Sequence, residues 1–426
     1  GSPARRAPAA TGMLLKNATL IEGSEVEVLV EGDRIAEVGP SGSAVDGDAD
    51  TLDLAGYVLL PAPAEPHAHL DKALTADRVV VQAGDLGAAI DAWHEHRRTL
   101  PVDDIARRAE AAARASLARG VTAVRTHVDV GEGIELRAAE ALIEVRDRLR
   151  PLMDVQIVAL SYPLTGMDGA ENRALVRAAL ELGVDVVGGA PHIDPDPAGH
   201  IEFCLGLAAE FERPVDLHMD EHMRASAVDL VNLTRLAGGS FPHPVTASHC
   251  VSLGLQAPGD QARIATAVAR AGISVVSCPG TNLHLQARDV RTATPRGITA
   301  LRALLDAGAL VAGGGDNVQD FFHPLGCGDP LQAASLLVLG GHLDIPTAYR
   351  LVSENARAVM GLPANAVEAG GHADLVAVRG RTLQELMATT TEDRLVIRGG
   401  RPVARTRVVH EPVNRTAPAD KEVEHA

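Results

Sequence analysis

The sequence predicts a closed (β/α)8 TIM barrel of class α/β, joined to a small β-sandwich formed by the N- and C-terminal segments. Three observations carry this. Eight apolar, strand-like runs alternate with amphipathic helical stretches through the middle of the chain. Segments of alternating apolar and polar residues flank that region at both ends. No glycine-rich dinucleotide fingerprint follows the first run, which argues against the competing doubly wound open sheet. The chain has 426 residues, room for a barrel of roughly 250 residues and a smaller appended unit.

Taken in order, residues 1–12 read as a tag or leader, disordered and outside the fold. Residues 13–60 carry turn signals at Glu22-Gly23 and Gly32-Asp33. Between those turns LLKNATLIEG, VEVLVEGDRIAEVG and LDLAGYVLLPA read as short antiparallel strands. The barrel is expected over 61–364, and the second half of the sandwich over 365–412, where ADLVAVRG and RLVIRGGRPVARTRVV repeat the pattern. A polar tail, 413–426, completes the chain. The eight runs are 58–69, 121–129, 154–160, 184–189, 215–218, 245–249, 273–278 and 310–316. Asp85 is a natural N-cap for the helix after the first run, and Gly120 a natural stop for the next one.

Composition narrows the function classes. Aromatic residues make up 2% of the chain, so Ala, Val, Leu and Ile must build the core, as in buried parallel strands. The formal net charge of −17 repels nucleic acid and anionic membrane surfaces, so neither is expected as a partner. No run approaches the roughly 20 apolar residues of a membrane span. The cysteines Cys204, Cys250, Cys278 and Cys327 lack paired spacing and read as reduced thiols, so a cytoplasmic location is expected.

The chemistry gathers where the runs end. His67 and His69 stand at i and i+2, on one face of the first run. His218 ends the fifth run, His249 the sixth and Asp316 the eighth. The C-terminal ends of barrel strands converge on one mouth, where active sites form. Three imidazoles and a carboxylate, His67, His69, His218 and Asp316, suit one divalent ion in an open site: zinc or iron, or manganese. Binuclear barrel hydrolases commonly bridge two metals with a carboxylated lysine from a central strand. The only lysines here are Lys16, Lys72 and Lys421, none of them in the second to eighth runs, so a single metal is expected.

Several motifs together resemble the amidohydrolase superfamily, and within it the cytosine deaminase-like branch. They are PAEPHAHLDK (ending at Lys72), VRTHVDV (124–130), VGGAPHID (187–194), DLHMDEH (216–222), VTASH (245–249), NLHLQ (282–286), RGIT (296–299) and GGDNVQDFFHPLG (314–326). The resemblance implies that His67, His69, His218 and Asp316 bind the metal. It also makes Glu221 the proton shuttle, sets His249 beside the attacking water and lets Asp316 take the first proton. The implied reaction is deamination of a small nitrogen heterocycle by metal-hydroxide attack; hydrolysis of a cyclic amide or imide by the same site is the alternative. A binding barrel without catalysis would not need Glu221 and His249. A homo-oligomer is expected on the same resemblance.

Some positions depart from the cytosine pattern. Leu164 stands where cytosine deaminases carry a glutamine against the pyrimidine amide edge, so cytosine itself is not the expected substrate. HLDK is similar to aminohydrolases of N-alkylated hydroxy-triazines, making Lys72 a substrate contact or the partner of Asp71 in an ion pair. Asn317, Phe322 and Gln286 are further candidate substrate contacts, Phe322 by stacking. His127, Asp129, Asn282 and His284 are candidates for supporting or substrate contacts. Trp93 is expected in the core, His94 and His96 in solvent, and Cys250 to be inert.

Overall fold

The computed structural model describes residues 12–42, 49–78, 85–239 and 241–411. The expected leader, except Gly12, and the tail over 413–426 lie outside them. Eight parallel strands pair in chain order: Ala64–Ala68, Ala123–Asp129, Asp154–Leu160, Val186–Gly189, Val215–Met219, Val245–His249, Ser274–Ser277 and Val311–Gly313. They are short and rich in valine and alanine, and Ala123–Asp129 is buried along its whole length, as strands covered on both faces must be. The ring closes between the first and eighth strands. Asp316 N donates to the His67 carbonyl at 3.0 Å. Glu65 takes one N–H from each side, from Gly315 at 2.7 Å and His67 at 3.0 Å.

Helices fill the connections. Asp85 caps the helix Leu86–Arg97, accepting from Ala88 N. The helix Val102–Ala118 ends just before Gly120, which sits at φ +104. A Cβ there would lie 3.1 Å from Val376 Cγ2, so glycine serves both the left-handed turn and the close approach of the second domain.

That second domain is one sheet drawn from both ends of the chain. Its order is Arg401–Thr406, Arg394–Arg398, Leu375–Arg379, Tyr57–Pro61, Met13–Thr19, Glu25–Glu31 and Arg34–Pro40, with Asp50–Asp53 also paired to Met13–Thr19. The expectation of antiparallel strands needs one correction: Met13–Thr19 pairs parallel with both Asp50–Asp53 and Tyr57–Pro61. The single run over 58–69 needs another. It is two strands in two sheets, Tyr57–Pro61 in the outer sheet and Ala64–Ala68 in the barrel. Pro61 and Pro63 have no N–H to donate to a ladder, so the chain changes sheet there; unbroken apolarity hid the break. The outer sheet has its own core around Leu15, Val28, Ile35, Leu59, Leu375 and Ile397. Buried ion pairs tie it to the barrel: Arg394 to Asp329 at 2.9 and 2.7 Å, and Arg357 to Asp374 at 3.0 Å.

Candidate metal centre and active-site cavity

His67, His69 and His218 converge at the barrel mouth, each with its ring buried. His69 Nε2 lies 3.1 Å from His218 Nε2 and 3.4 Å from Asp316 Oδ1, and His67 Nε2 is 3.8 Å from the same oxygen. Four donors around a tetrahedral ion at bonds of about 2.1 Å stand about 3.4 Å apart, so these spacings are those of a coordination shell. Both ring nitrogens of His67, Nδ1 of His218 and both carboxylate oxygens of Asp316 are buried without a hydrogen-bond partner, which a folded protein avoids unless the atoms have another use. Burial and mutual crowding hold the His67, His69 and His218 pKa values well below the usual imidazole range, so the rings are neutral and their lone pairs free. His69 Nδ1 lies 3.4 Å from Lys72 Nζ, which leaves Nε2 as the nitrogen turned toward the cluster. The residues present fit a divalent ion.

The groups beside the cluster lie close to one another. Glu221 Oε1 accepts from Asn282 Nδ2 at 3.1 Å and lies 3.5 Å from His249 Nδ1. Burial pushes the Glu221 carboxyl up to about 8, against the pull of Asn282. Burial also lowers His249 to about 4, against the same asparagine. His249 Nδ1 is 4.0 Å from Asp316 Oδ2. Beneath the cluster the His127 ring lies 4.1 Å from that of His67, with Nε2 3.7 Å from Asp216 Oδ1.

A cavity of about 430 Å³, its open mouth included, rises over this centre. Its floor is His69, His218, Glu221, His249 and Asp316. Leu86, Ile90, Leu160, Ala190, Ile193 and Phe322 supply an apolar wall, and Lys72, Tyr162, His192, Thr281 and Asn317 the polar atoms. Of the expected substrate contacts, Lys72, Asn317 and Phe322 therefore reach the cavity. Lys72 is also the ion-pair partner, with Nζ 2.6 Å from Asp129 and 3.2 Å from Asp71. Asn317 has its amide engaged, donating to Asp320 at 2.8 Å and accepting from Thr281 at 3.1 Å.

Leu164 and Gln286 do not line the cavity, and both expectations are corrected. The third strand stops at Leu160 and the loop turns back, where Asp194 accepts the Leu164 N–H at 2.6 Å. The Leu164 side chain is thereby packed into the core, 1% exposed. Gln286 instead donates to the Glu221 backbone carbonyl at 3.3 Å. Tyr162, His192, Leu160 and Thr281 were missed. For Leu160 and Tyr162 a signal existed, since i and i+2 share a face when a strand runs on past its last pairing. His192 had its place in VGGAPHID and nothing more. His94 and His96 are not solvated as expected but half-buried, and the His94 ring stacks on Tyr162 at 5.6 Å. Trp93 is buried, as its apolar ring demands, with Nε1 donating to Asp129 at 2.7 Å. All four cysteines are unpaired.

Residues 87–404 match the model of the amidohydrolase family. The chain belongs to the amidohydrolase family. As a member it is a hydrolase of carbon–nitrogen bonds other than peptide bonds. A pterin deaminase from Rhizobium rhizogenes is 31% identical over 389 residues, covering 90% of this chain and 88% of that protein. Among solved amidohydrolase structures, 5-methylcytosine deaminase from Klebsiella pneumoniae superposes with a TM-score of 0.85 at 28% identity, over 94% of this chain and 99% of that one. N-isopropylammelide isopropylaminohydrolase from Burkholderia multivorans has a TM-score of 0.80 at 30% identity, over 93% and 98%. No helix among the described residues is long and apolar enough to cross a membrane.

Proposed function

We propose that this amidohydrolase is a mononuclear aminohydrolase that removes an exocyclic amine from a small nitrogen heterocycle. The observation that carries the reading is Glu221, a buried carboxyl in the floor of the cavity beside the His and Asp cluster. His67, His69, His218 and Asp316 would hold one zinc, iron or manganese ion. When bound, such an ion acidifies water and offsets negative charge that develops at the reacting carbon. One ion is favoured over two because no lysine stands on a barrel strand to bridge a pair, and Lys72 is engaged by Asp71 and Asp129.

The chain's own groups then manage protons and orientation. Asp316 and His249 flank the place of the attacking oxygen; Asp316 takes its proton and His249 fixes its direction. Glu221, poised near neutral pH, gives its proton to the ring nitrogen; of the two protons that the attacking water gives up, one by way of Asp316 and one from the added hydroxyl, one goes to the departing amine and the other restores Glu221. Phe322, Leu160 and Ile193 exclude water and press the flat faces of the ring.

The wall also bears on the substrate. It holds no free amide: Asn317 is committed to Thr281 and Asp320, and Gln286 lies outside. A pyrimidine amide edge would lose its paired hydrogen bonds, at about 1–3 kcal/mol for each group left unmade. Cytosine is therefore a poor substrate in this reading, while an alkylated or two-ring heterocycle gains from the apolar wall. The relatives' substrates, pterin, 5-methylcytosine and N-isopropylammelide, are the first to try. Unpaired cysteines and a charge of −17 suit a cytoplasmic enzyme, and the likeness to its relatives suits a homo-oligomer.

Release of ammonia or an alkylamine is measured across these heterocycles, cytosine and a set of lactams. Glu221→Gln keeps the shape but carries no proton, so turnover falls by at least about 10²-fold with metal content unchanged. Near-normal turnover in that variant removes Glu221 from the mechanism, and turnover of lactams alone replaces deamination with ring opening.

A further inference from the structure

The helix Pro279–Leu285, which follows the seventh barrel strand, and the residue that caps its end, Gln286, bring two amide side chains to Glu221. Asn282 and Gln286 are four residues apart, neighbours on a helix surface. Asn282 Nδ2 donates to the Glu221 carboxylate at 3.1 Å, and Gln286 Nε2 to the Glu221 backbone carbonyl at 3.3 Å. Asn282 is 1% exposed and Glu221 5%, so water does not compete for the bond between them, while Gln286 is half-buried. His249 Nδ1 lies against the same amide, 3.3 Å from Nδ2 and 3.4 Å from Oδ1; with Nδ2 given to Glu221, Oδ1 is the atom left to accept from a protonated Nδ1. One asparagine thus touches both groups that flank the attack. Gln286 is itself confined, because a Cβ at Gly297 would come within 2.6 Å of its Cβ; the segment after the helix closes on it.

We propose that Asn282 and Gln286 are positioning residues that clamp Glu221 against the cavity and, through Asn282, set the direction of the His249 ring. The inference rests on the reading of Glu221 as the group that carries the proton. A glutamate side chain turns about three bonds, and a buried carboxyl without a donor swings to whatever donor is nearest. Fixing it at the carboxylate and at the backbone leaves one orientation. Catalysis gains from that because a group already in place need not be ordered at the moment of reaction.

The test uses the metal-loaded full chain, with pterin, 5-methylcytosine and N-isopropylammelide as probes. Asn282→Leu removes the donor at nearly constant volume, and Asn282→Asp keeps the shape while setting an acceptor against an acceptor. Both are expected to lower kcat by about 10- to 100-fold, with KM within about threefold of the parent and metal content unchanged, the range of one acid–base group put out of register. A space-filling role would survive Asn282→Asp. Gln286→Met is expected to lose less, about threefold to tenfold in kcat. Crystal structures of the parent and Asn282→Leu supply a readout independent of turnover: one orientation of the Glu221 carboxylate in the parent, a displaced or divided one in the variant. Full kcat in Asn282→Leu beside a silent Glu221→Gln overturns the clamp alone, as does an unmoved Glu221 in the variant crystal. Normal turnover in Glu221→Gln overturns the shuttle reading beneath it.

Discussion

The barrel interior carries polar side chains at both ends, and the two ends treat their polar atoms in opposite ways. Toward the N-terminal ends of the strands, Arg125 donates to Asp216 at 2.9 Å and to the Val359 carbonyl at 3.2 Å. Ser248 donates to the other Asp216 oxygen at 2.9 Å, and Gln156 to the Met360 carbonyl at 2.8 Å. Each charge there has a partner. Toward the mouth, His218 two residues past Asp216, His249 one past Ser248, and His67 and Asp316 at the ends of the first and eighth strands keep buried nitrogens and oxygens with no hydrogen-bond partner. Unpaired buried polar atoms cost stability, so the mouth gives up stability that the floor retains. That asymmetry, within one continuous sheet, separates the part of the barrel that holds the fold from the part that acts.

Removing a mouth residue should therefore destroy function and spare the fold, with the largest effect of all. His218→Ala and Asp316→Asn are expected to abolish turnover and to lose the metal, about one equivalent per chain in the parent, while the circular dichroism spectrum stays. Elemental analysis showing two tightly held ions per chain breaks the mononuclear reading.

The opposite should hold at the floor. Arg125→Met leaves Asp216 buried without its cation, and breaking one side of a buried pair costs about 3–5 kcal/mol. The melting temperature should fall on the order of 10 °C, with metal per folded chain unchanged. A variant that melts like the parent but loses its metal would mean that the floor reaches the metal through Asp216, His127 and His67, and the two ends would no longer be separable.

The smallest effect is expected at Leu164. With its side chain in the core and its N–H on Asp194, Leu164→Gln should bury an unsatisfied amide and cost about 1–3 kcal/mol of stability. The preference between cytosine and the best substrate should move by less than about threefold, a shift of under 1 kcal/mol. A tenfold gain for cytosine would show that residue 164 faces the substrate after all, and would redraw the cavity wall.

The outcome at Leu164 marks where a linear reading stops. The residues proposed for the metal and the proton stand out along the chain because they obey local rules: His67 and His69 share a strand face by period two, and His218, His249 and Asp316 each stand where a strand-like run ends. Glu221 stands out through its motif, three residues past His218. Leu164 and Gln286 were placed by resemblance in loop positions, and a loop has no period from which to read where a side chain points. Tyr162 and His192 stayed hidden for the same reason, and so did the switch of sheets between Pro61 and Ala64, concealed by a run of uniform hydrophobicity.

The sequence by itself determined the barrel, the split outer domain and the strand-end positions of the four side chains proposed for the metal, because periodicity and strand-end position are properties of neighbours along the chain. Only the tertiary structure decided which of two leucine positions, 160 or 164, meets the cavity, and that Asn282 and Gln286 both turn toward Glu221. It also decided that Asp216 is neutralised by Arg125 while Asp316 is left bare. Each of those depends on atoms brought together from strands and loops tens of residues apart, where closure of the barrel, and no local preference, sets the distance.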